Sequence, residues 1–550
     1  MRRSVLTALV LALVAAASAQ LAFAPGDTLW TRRYNGPARD FDYATAMATD
    51  ADGNVYVTGY SPGAGTANDY ATVKYDSTGR ELWVARYAGS SWSDDVPFAL
   101  ALDNSGNVYV TGQSGIYPDY NIVTVKYTAA GSQAWVATWS GADGKQDVGK
   151  AIAVNPTTGE VWVTGYTTDA ASKTDIITVK YTSAGQQDWS QLWGDSENDA
   201  ANAIGIDGSG NAYITGSTFT GSAELENYVT VKYSPTGAEL WAQTYNSTFN
   251  CTDEALALAV DAAGNVYVTG KSNTARPPGG NWDMATLKYD TNGSQQWLTR
   301  YTGVGRDDLP VALKLDRAGI PYVVGSSKRA AGDYDCVTIK YNNATGSEAW
   351  NARYNSSFNK DDVGVGLVID SLNQVHVVGS SMGSGSTYDY LVLRYSATGT
   401  QDWATRLDSP DHNDDQCVGI GIDRRLNVYV TGSSFGGVSP TGYDYFTAKF
   451  AAGGGGGVAE ERQVLTGRTL RLRPNPARDL ARLNYRLSRP GPVRIELIDP
   501  AGRPAVAPIQ GFRPAGENSD RLPLNGLPAG VYLVQLVTPD GSFSGRIVTE

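Results

Sequence analysis

Short apolar runs recur along most of the chain, rich in Val, Ile, Thr, Tyr and Trp, and separated by clusters of Asp, Asn, Ser and Gly. One stretch shows the pattern clearly: Val96 to Leu102, Val108 to Gln113, Ile122 to Tyr127 and Ala134 to Trp139. Runs of this length and composition predict four β-strands. Asp103-Asn104-Ser105-Gly106-Asn107 supplies the residues of a tight hairpin between the first two, and Thr128 to Ser132 supplies the last turn.

The same stretch occurs eight times. Gly53-Asn54-Val55-Tyr56-Val57-Thr58-Gly59 reappears at Gly106 to Gly112, and its closing glycine recurs at Gly165, Gly216, Gly270, Gly325, Gly379 and Gly432, 51 to 55 residues apart. A basic residue followed by an aromatic marks each unit, from Lys74-Tyr75 to Lys449-Phe450, and so does a tryptophan, from Trp30 to Trp403. Four strands per unit of this length predict one blade of a β-propeller. The first run of each unit carries a tiny side chain, Ala46, Ala99, Ala151, Ala203, Ala257, Ala312, Gly366 or Gly419. That run is read as the innermost strand, where blades converge, and the Trp-bearing run as the outermost. The chain begins with an outer-type strand, Leu29 to Tyr34, and its last unit stops at Phe450 without one. The first strand is therefore expected to complete the last blade.

These units resemble a secreted β-propeller repeat family known as seven-bladed, through Asp-x-x-Gly-Asn-Val-Tyr-Val-Thr-Gly and Asp-Tyr-x-Thr-Val-Lys-Tyr over Trp30 to Phe450. Eight copies here predict eight blades, so the fold class expected is all-β: an eight-bladed propeller over residues 20–450, then a small Ig-like β-sandwich.

The segments outside the repeat change the picture of where the protein works. Arg2 and Arg3 precede an apolar run from Val5 to Ala17 that ends in Ala17-Ser18-Ala19. This reads as a signal peptide over residues 1–19, too short for a membrane anchor. No other run could span a bilayer, and export to the cell exterior or surface is expected. A Gly-rich linker, 451–463, separates the acidic repeats from a basic tail with thirteen arginines against seven acids after residue 461, in a chain of net charge −12. Alternating runs at Leu480 to Leu487, Val493 to Ile498 and Val531 to Val537 predict the sandwich. Residues 464–550 resemble the C-terminal sorting domain of type IX secretion cargo. Pro474, Asn475 and Pro476, Val493 to Asp499 with Gly502, Gly530 with Tyr532, and Gly545 to Val548 carry that resemblance. It implies recognition by the type IX machinery, then removal of the domain with surface attachment or release.

Composition excludes more than it names. Two His and the scattered Cys251, Cys336 and Cys417 provide no zinc, haem or disulfide framework, and the acidic balance argues against nucleic acid. An Asp opens every innermost run: Asp42, Asp95, Asp147, Asp199, Asp253, Asp308, Asp362 and Asp415. These are placed near the central opening and read as hydrogen-bonded staples between blades, with Asp307, Asp308, Asp361, Asp362, Asp414 and Asp415 as possible calcium ligands and no other cofactor expected. A second series, Asp69, Asn121, Asp175, Asn227, Asp283, Asp335, Asp389 and Asp444, exchanges Asp with Asn and reads as a plain hydrogen-bond acceptor. Lys150 and Lys314 are expected to pair with the acidic rim in preference to forming an anion site. Trp92, Tyr117, Phe219, Trp282 and Tyr388 differ from blade to blade and are the ligand-binding candidates, for a glycan or a protein. No catalytic residue is assigned. The function expected is a secreted, non-catalytic binding or scaffold propeller, the alternative being a carbohydrate- or polymer-cleaving enzyme using rim carboxylates.

Overall fold

The computed structural model describes residues 24–451 apart from 91, 143, 195–196, 220–224, 249–250, 274–279, 305, 386, 410–411 and 437–441. It also describes 471–549 apart from 474–478, 488–489, 499–504, 507–508, 529 and 539–540. Two compact units result.

The larger unit is an eight-bladed, all-β propeller. Blade 5 is typical, with Asp253–Val260, Val266–Asn273, Trp282–Tyr289 and Gln295–Tyr301 forming one antiparallel sheet in chain order. Blade 8 combines Asp415–Ile422, Val428–Phe435 and Tyr443–Phe450 with the first strand of the chain, Thr28–Tyr34. Each inner strand lies against the inner strands of its two neighbours, blade 1 against blade 8 included, so the ring closes. Its core consists of separate clusters between sheets. In one, Tyr213, Tyr228, Val266, Val268 and Leu287 join residues of blades 4 and 5.

Each inner strand shifts register once, just before its tiny residue; in blade 5 the shift lies between Ala255 and Ala257. Such a bulge bends the strand and turns a carbonyl toward its partner. The consequence falls on the glycine of the second strand. A Cβ on Gly270 would lie 2.0 Å from the Glu254 carbonyl oxygen, and one on Gly165 would lie 1.8 Å from that of Val148. Space between strands, not a turn, fixes this glycine in all eight units.

The other two repeat markers join blades. Trp189 Nε1 and Lys180 Nζ both donate to the Pro235 carbonyl of the next blade, at 3.0 and 3.2 Å. Trp83 with Lys74, and Trp241 with Lys232, do the same to Ala129 and Thr291. The receiving turn needs glycine: Gly237 has φ +84°, and its missing Cβ would lie 2.9 Å from the Trp189 ring. Across the closing seam, Lys449 Nζ donates to the Ser77 carbonyl at 2.9 Å and the Tyr445 hydroxyl to that of Ala71 at 3.1 Å.

The smaller unit contains two antiparallel sheets. Arg471–Arg473, Leu480–Leu487 and Gly516–Pro523 form one, and Ile509–Arg513, Gly491–Ile498, Gly530–Thr538 and Gly541–Thr549 form the other. Leu483, Tyr485, Ile495, Leu497, Val534 and Ile547 share one core. Buried Tyr532 donates its hydroxyl to the Pro528 carbonyl, and Gly530 opens its strand. Pro474, Asn475, Pro476 and Gly502 lie outside the described residues, as do residues 1–23 and 452–470, where a leader and a linker are expected. Among the described residues no helix is long and apolar enough to cross a membrane.

Candidate functional site

The propeller face on which the inner strands begin concentrates the polar groups. There each blade carries a row of four side chains, one per strand. In blade 5 the row is Asp253, Ser272, Asp283 and Arg300. Register pairs Asp253 with Ser272 and Ser272 with Asp283. The Ser272 hydroxyl donates to Asp253, while Arg300 donates to Ser272 Oγ at 2.6 Å and to Asp283 Oδ2 at 3.0 Å. The opposite Asp253 oxygen accepts the backbone N–H of Ser247 at 2.7 Å.

This arrangement repeats. Gly36, Gly89, Gly141, Gly303, Ser356 and Ser409 donate their N–H groups to Asp42, Asp95, Asp147, Asp308, Asp362 and Asp415 at 2.6 to 2.8 Å. All eight opening aspartates, Asp199 among them, are buried. They form staples inside the protein and not a solvent-facing acidic rim. Burial pushes the pKa of Asp42, Asp95, Asp147, Asp253, Asp308 and Asp362 up against the pull of their donors, and that of Asp415 up to about 6.

The second series accepts hydrogen bonds chiefly from arginine, a partner that the expectation of a plain acceptor did not include. Asp69, Asp283, Asp335, Asp389 and Asp444 pair with Arg86, Arg300, Arg353, Arg406 and Arg33 of the outer strand at 2.5 to 3.2 Å. Asn121 and Asn227 occur where the outer strand offers Thr138 and Thr244 in place of arginine. Loss of the cation accompanies loss of the anion. Only blade 3 keeps an acid, Asp175, opposite an apolar residue, Leu192. This covariation was readable in the sequence, had the outer-strand column been compared with the third.

The doubled acids diverge. Asp307 accepts the Trp282 N–H and faces Lys328 Nζ at 3.5 Å. Asp361 takes the Tyr334 N–H and the Tyr388 hydroxyl, and Asp414 takes the Tyr388 N–H and the Tyr443 hydroxyl. Each thus ties its blade to the preceding one while its neighbour, Asp308, Asp362 or Asp415, points inward. Asp389, Asp408 and Asp415 do bring oxygens within 4.8 Å of one another. That trio already holds Arg406 on Asp389, at 2.5 Å, and the His412 ring on Asp408, at 2.6 Å.

The aromatic candidates share this face, spread over blades 2, 4, 5 and 7. Trp92 and Tyr117, at 79% and 82% exposed, project from loops entering and within blade 2. Phe219, Trp282 and Tyr388 are half-buried in blades 4, 5 and 7; Lys271 Nζ sits 5.0 Å over the Trp282 ring. Cys251, Cys336 and Cys417 are buried free thiols, and burial raises the Cys417 pKa to about 12. His376 stands where six other blades have Tyr and blade 3 has Trp162, and meets buried Asp370 at 3.1 Å. On the opposite face a cleft of 470 Å³ is lined by Asp50, Asp52, Asp103, Lys74 and Arg424. Its Asp50 and Asp103 are spent on turn N–H groups and on the Tyr56 and Tyr109 hydroxyls.

Residues 29–65, 83–118, 188–218 and 402–437 match the model of a family described as beta-propeller repeat. Each match runs from an outer strand through the first two strands of the following blade. The chain thus carries β-propeller repeats of this type in an eight-bladed ring. Comparison with curated proteins finds no match. Similar solved structures include BamB from Moraxella catarrhalis, 11% identical with a TM-score of 0.44 over 78% of this chain and 99% of that one. A quinohemoprotein alcohol dehydrogenase from Comamonas testosteroni is 13% identical, with a TM-score of 0.46 over 80% and 78%. An ulvanlyase of a polysaccharide lyase family is 10% identical, with a TM-score of 0.41 over 75% and 97%. Activities so diverse at such identities say nothing of the chemistry of this chain.

Proposed function

We propose that the protein is a non-catalytic binding propeller, secreted or held at the cell surface, whose basic tail is an Ig-like sandwich serving as a type IX sorting domain. The observation that carries the binding reading is the spending of the acids: the opening aspartates are buried on backbone and hydroxyl donors, and the second series is largely paired with arginine. A general acid must reach its substrate, and these do not. Exposed, blade-specific Trp92 and Tyr117 offer flat apolar faces for a glycan or peptide.

A glycan and peptide array probed with the mature full chain tests this. Binding to a defined class of spots, lost with Trp92→Ala and Tyr117→Ala, is expected. New reducing ends or unsaturated uronates on incubation with polysaccharides would replace the reading with polymer cleavage. Removal of residues 464–550 should abolish export in the native host; unchanged secretion would remove the type IX assignment.

A further inference from the structure

Past the aspartate that opens each inner strand, the eight inner strands carry three charged side chains: Lys150, Glu254 and Lys314. Glu254 is taken, by Lys271 Nζ at 2.7 Å and the Asn202 amide at 3.2 Å. The two lysines are not. Neither has an ion pair or a hydrogen bond to an acid among the described residues, so the expected pairing with the acidic rim is not made. Lys150 lies over the Phe98 ring at 5.0 Å. Both side chains are exposed although they stand on innermost strands, and the open space beside such a strand is the central opening.

The fold does not require them. The position of Lys314 is Ala48, Ala101, Ala153, Gly205, Ala259, Val368 and Gly421 in the other blades. In blade 4 even a Cβ there would lie 2.8 Å from Leu258 and 3.0 Å from Val260 of the next blade, so the surroundings are close and apolar. The ring of strands around them desolvates both ammonium groups and lowers their pKa, that of Lys150 against an opposing pull from the Glu254 carboxylate. An ammonium held against apolar walls without an anion is costly, and such walls focus its field along the opening.

We propose that the central opening is an anion-binding site in which Lys150 and Lys314 hold oxyanion groups, free or carried on an extended chain such as a sulfated glycan. The lysines stand three and six residues past their opening acids, on blades 3 and 6; Lys150 is the unpaired bulge residue, so the two differ in height by two to three ladder steps, about 8 Å at strand rise. A ligand whose anionic groups span that height and the width of the opening would meet both. This deepens the binding reading and names the ligand chemistry.

The test is thermal melting of the full chain in inorganic sulfate, and with a sulfated tetrasaccharide, against chloride at matched ionic strength. The melting temperature of the parent should rise by several degrees with one probe or both. Sulfate alone being sufficient identifies a free-ion site, and a response only to the tetrasaccharide identifies a chain-borne anion. Lys314→Ala restores the residue of four other blades, so it should fold, melt in chloride no lower than the parent, and lose the rise. Lys150→Met should reduce the rise, and Arg80→Ala, at an exposed hairpin, should keep it. No probe-specific rise in the parent, an equal rise in Lys314→Ala, or a lower melting point of Lys314→Ala in chloride overturns the site. Array binding that survives such a failure leaves the binding function standing.

Discussion

At the residue scale, what matters about the opening aspartates is the direction of their titration. Asp415 is buried, and burial raises its pKa from 3.8 to about 6 despite its hydrogen bond from Ser409. A carboxyl raised in the folded state binds its proton more tightly there than in the unfolded chain. Its contribution is therefore complete below about pH 4 and is lost as pH rises through 6, a change of roughly 3 kcal/mol at 1.36 kcal/mol per unit. Asp42, Asp95, Asp147, Asp253, Asp308 and Asp362 act in the same sense. Asp370 acts oppositely: burial works upward, but the His376 ring and the N–H groups of Gln374 and Leu372 hold it down. Its stabilising contribution is lost on acidification below its ordinary range. Denaturant melts from pH 4 to 6.5 should thus show stability falling with pH, with a shallower fall in Asp415→Asn. An identical slope in that variant would mean that Asp415 does not titrate in this window.

At the scale of the blade, the four-residue row behaves as a unit. Blades 2 and 4 show that Asn with Thr can replace Asp with Arg. Arg300→Thr alone strands the buried Asp283 carboxylate, and Asp283→Asn alone strands the arginine; each should cost about 2 to 3 kcal/mol. The double variant, which writes the chemistry of blade 4 into blade 5, should cost at least 1 kcal/mol less than their sum. Additive losses would show that the pair is not coupled. This row also marks how far the sequence could be read. Blade number, strand order and the inner position of the tiny residues followed from markers printed eight times over. The Arg partner did not, because one column read alone shows only Asp exchanging with Asn. Nor did the fate of the lysines: strand membership placed Lys150 and Lys314 near the aspartates, but not that N–H groups upstream and second-strand hydroxyls had already claimed those acids. The second-strand glycine served the sequence reading only as a repeat marker, because the carbonyl that excludes a side chain there comes from a bulge on the neighbouring strand.

At the scale of the whole ring, stability is held in contacts that run from each blade to the next. The closing blade depends on the first strand of the chain. Arg33 on that strand donates to Ser434 Oγ at 2.7 Å and pairs with Asp444 at 3.2 Å. Deleting Asp27 to Tyr34 should bare the edge of the third strand of blade 8 and lower stability by several kcal/mol, seen as an earlier melt and faster proteolysis. A truncated protein that melts with its parent would rule out closure by this strand. At the seam, the Gly26 N–H donates to the Ala451 carbonyl and the Ala451 N–H to that of Asp27, both at 2.9 Å. The two ends of the propeller are therefore backbone neighbours, and the point at which synthesis begins is arbitrary with respect to the finished ring. Joined there by a few residues and reopened at any hairpin tip, the propeller is a natural subject for circular permutation, each permutant moving the seam to a different blade.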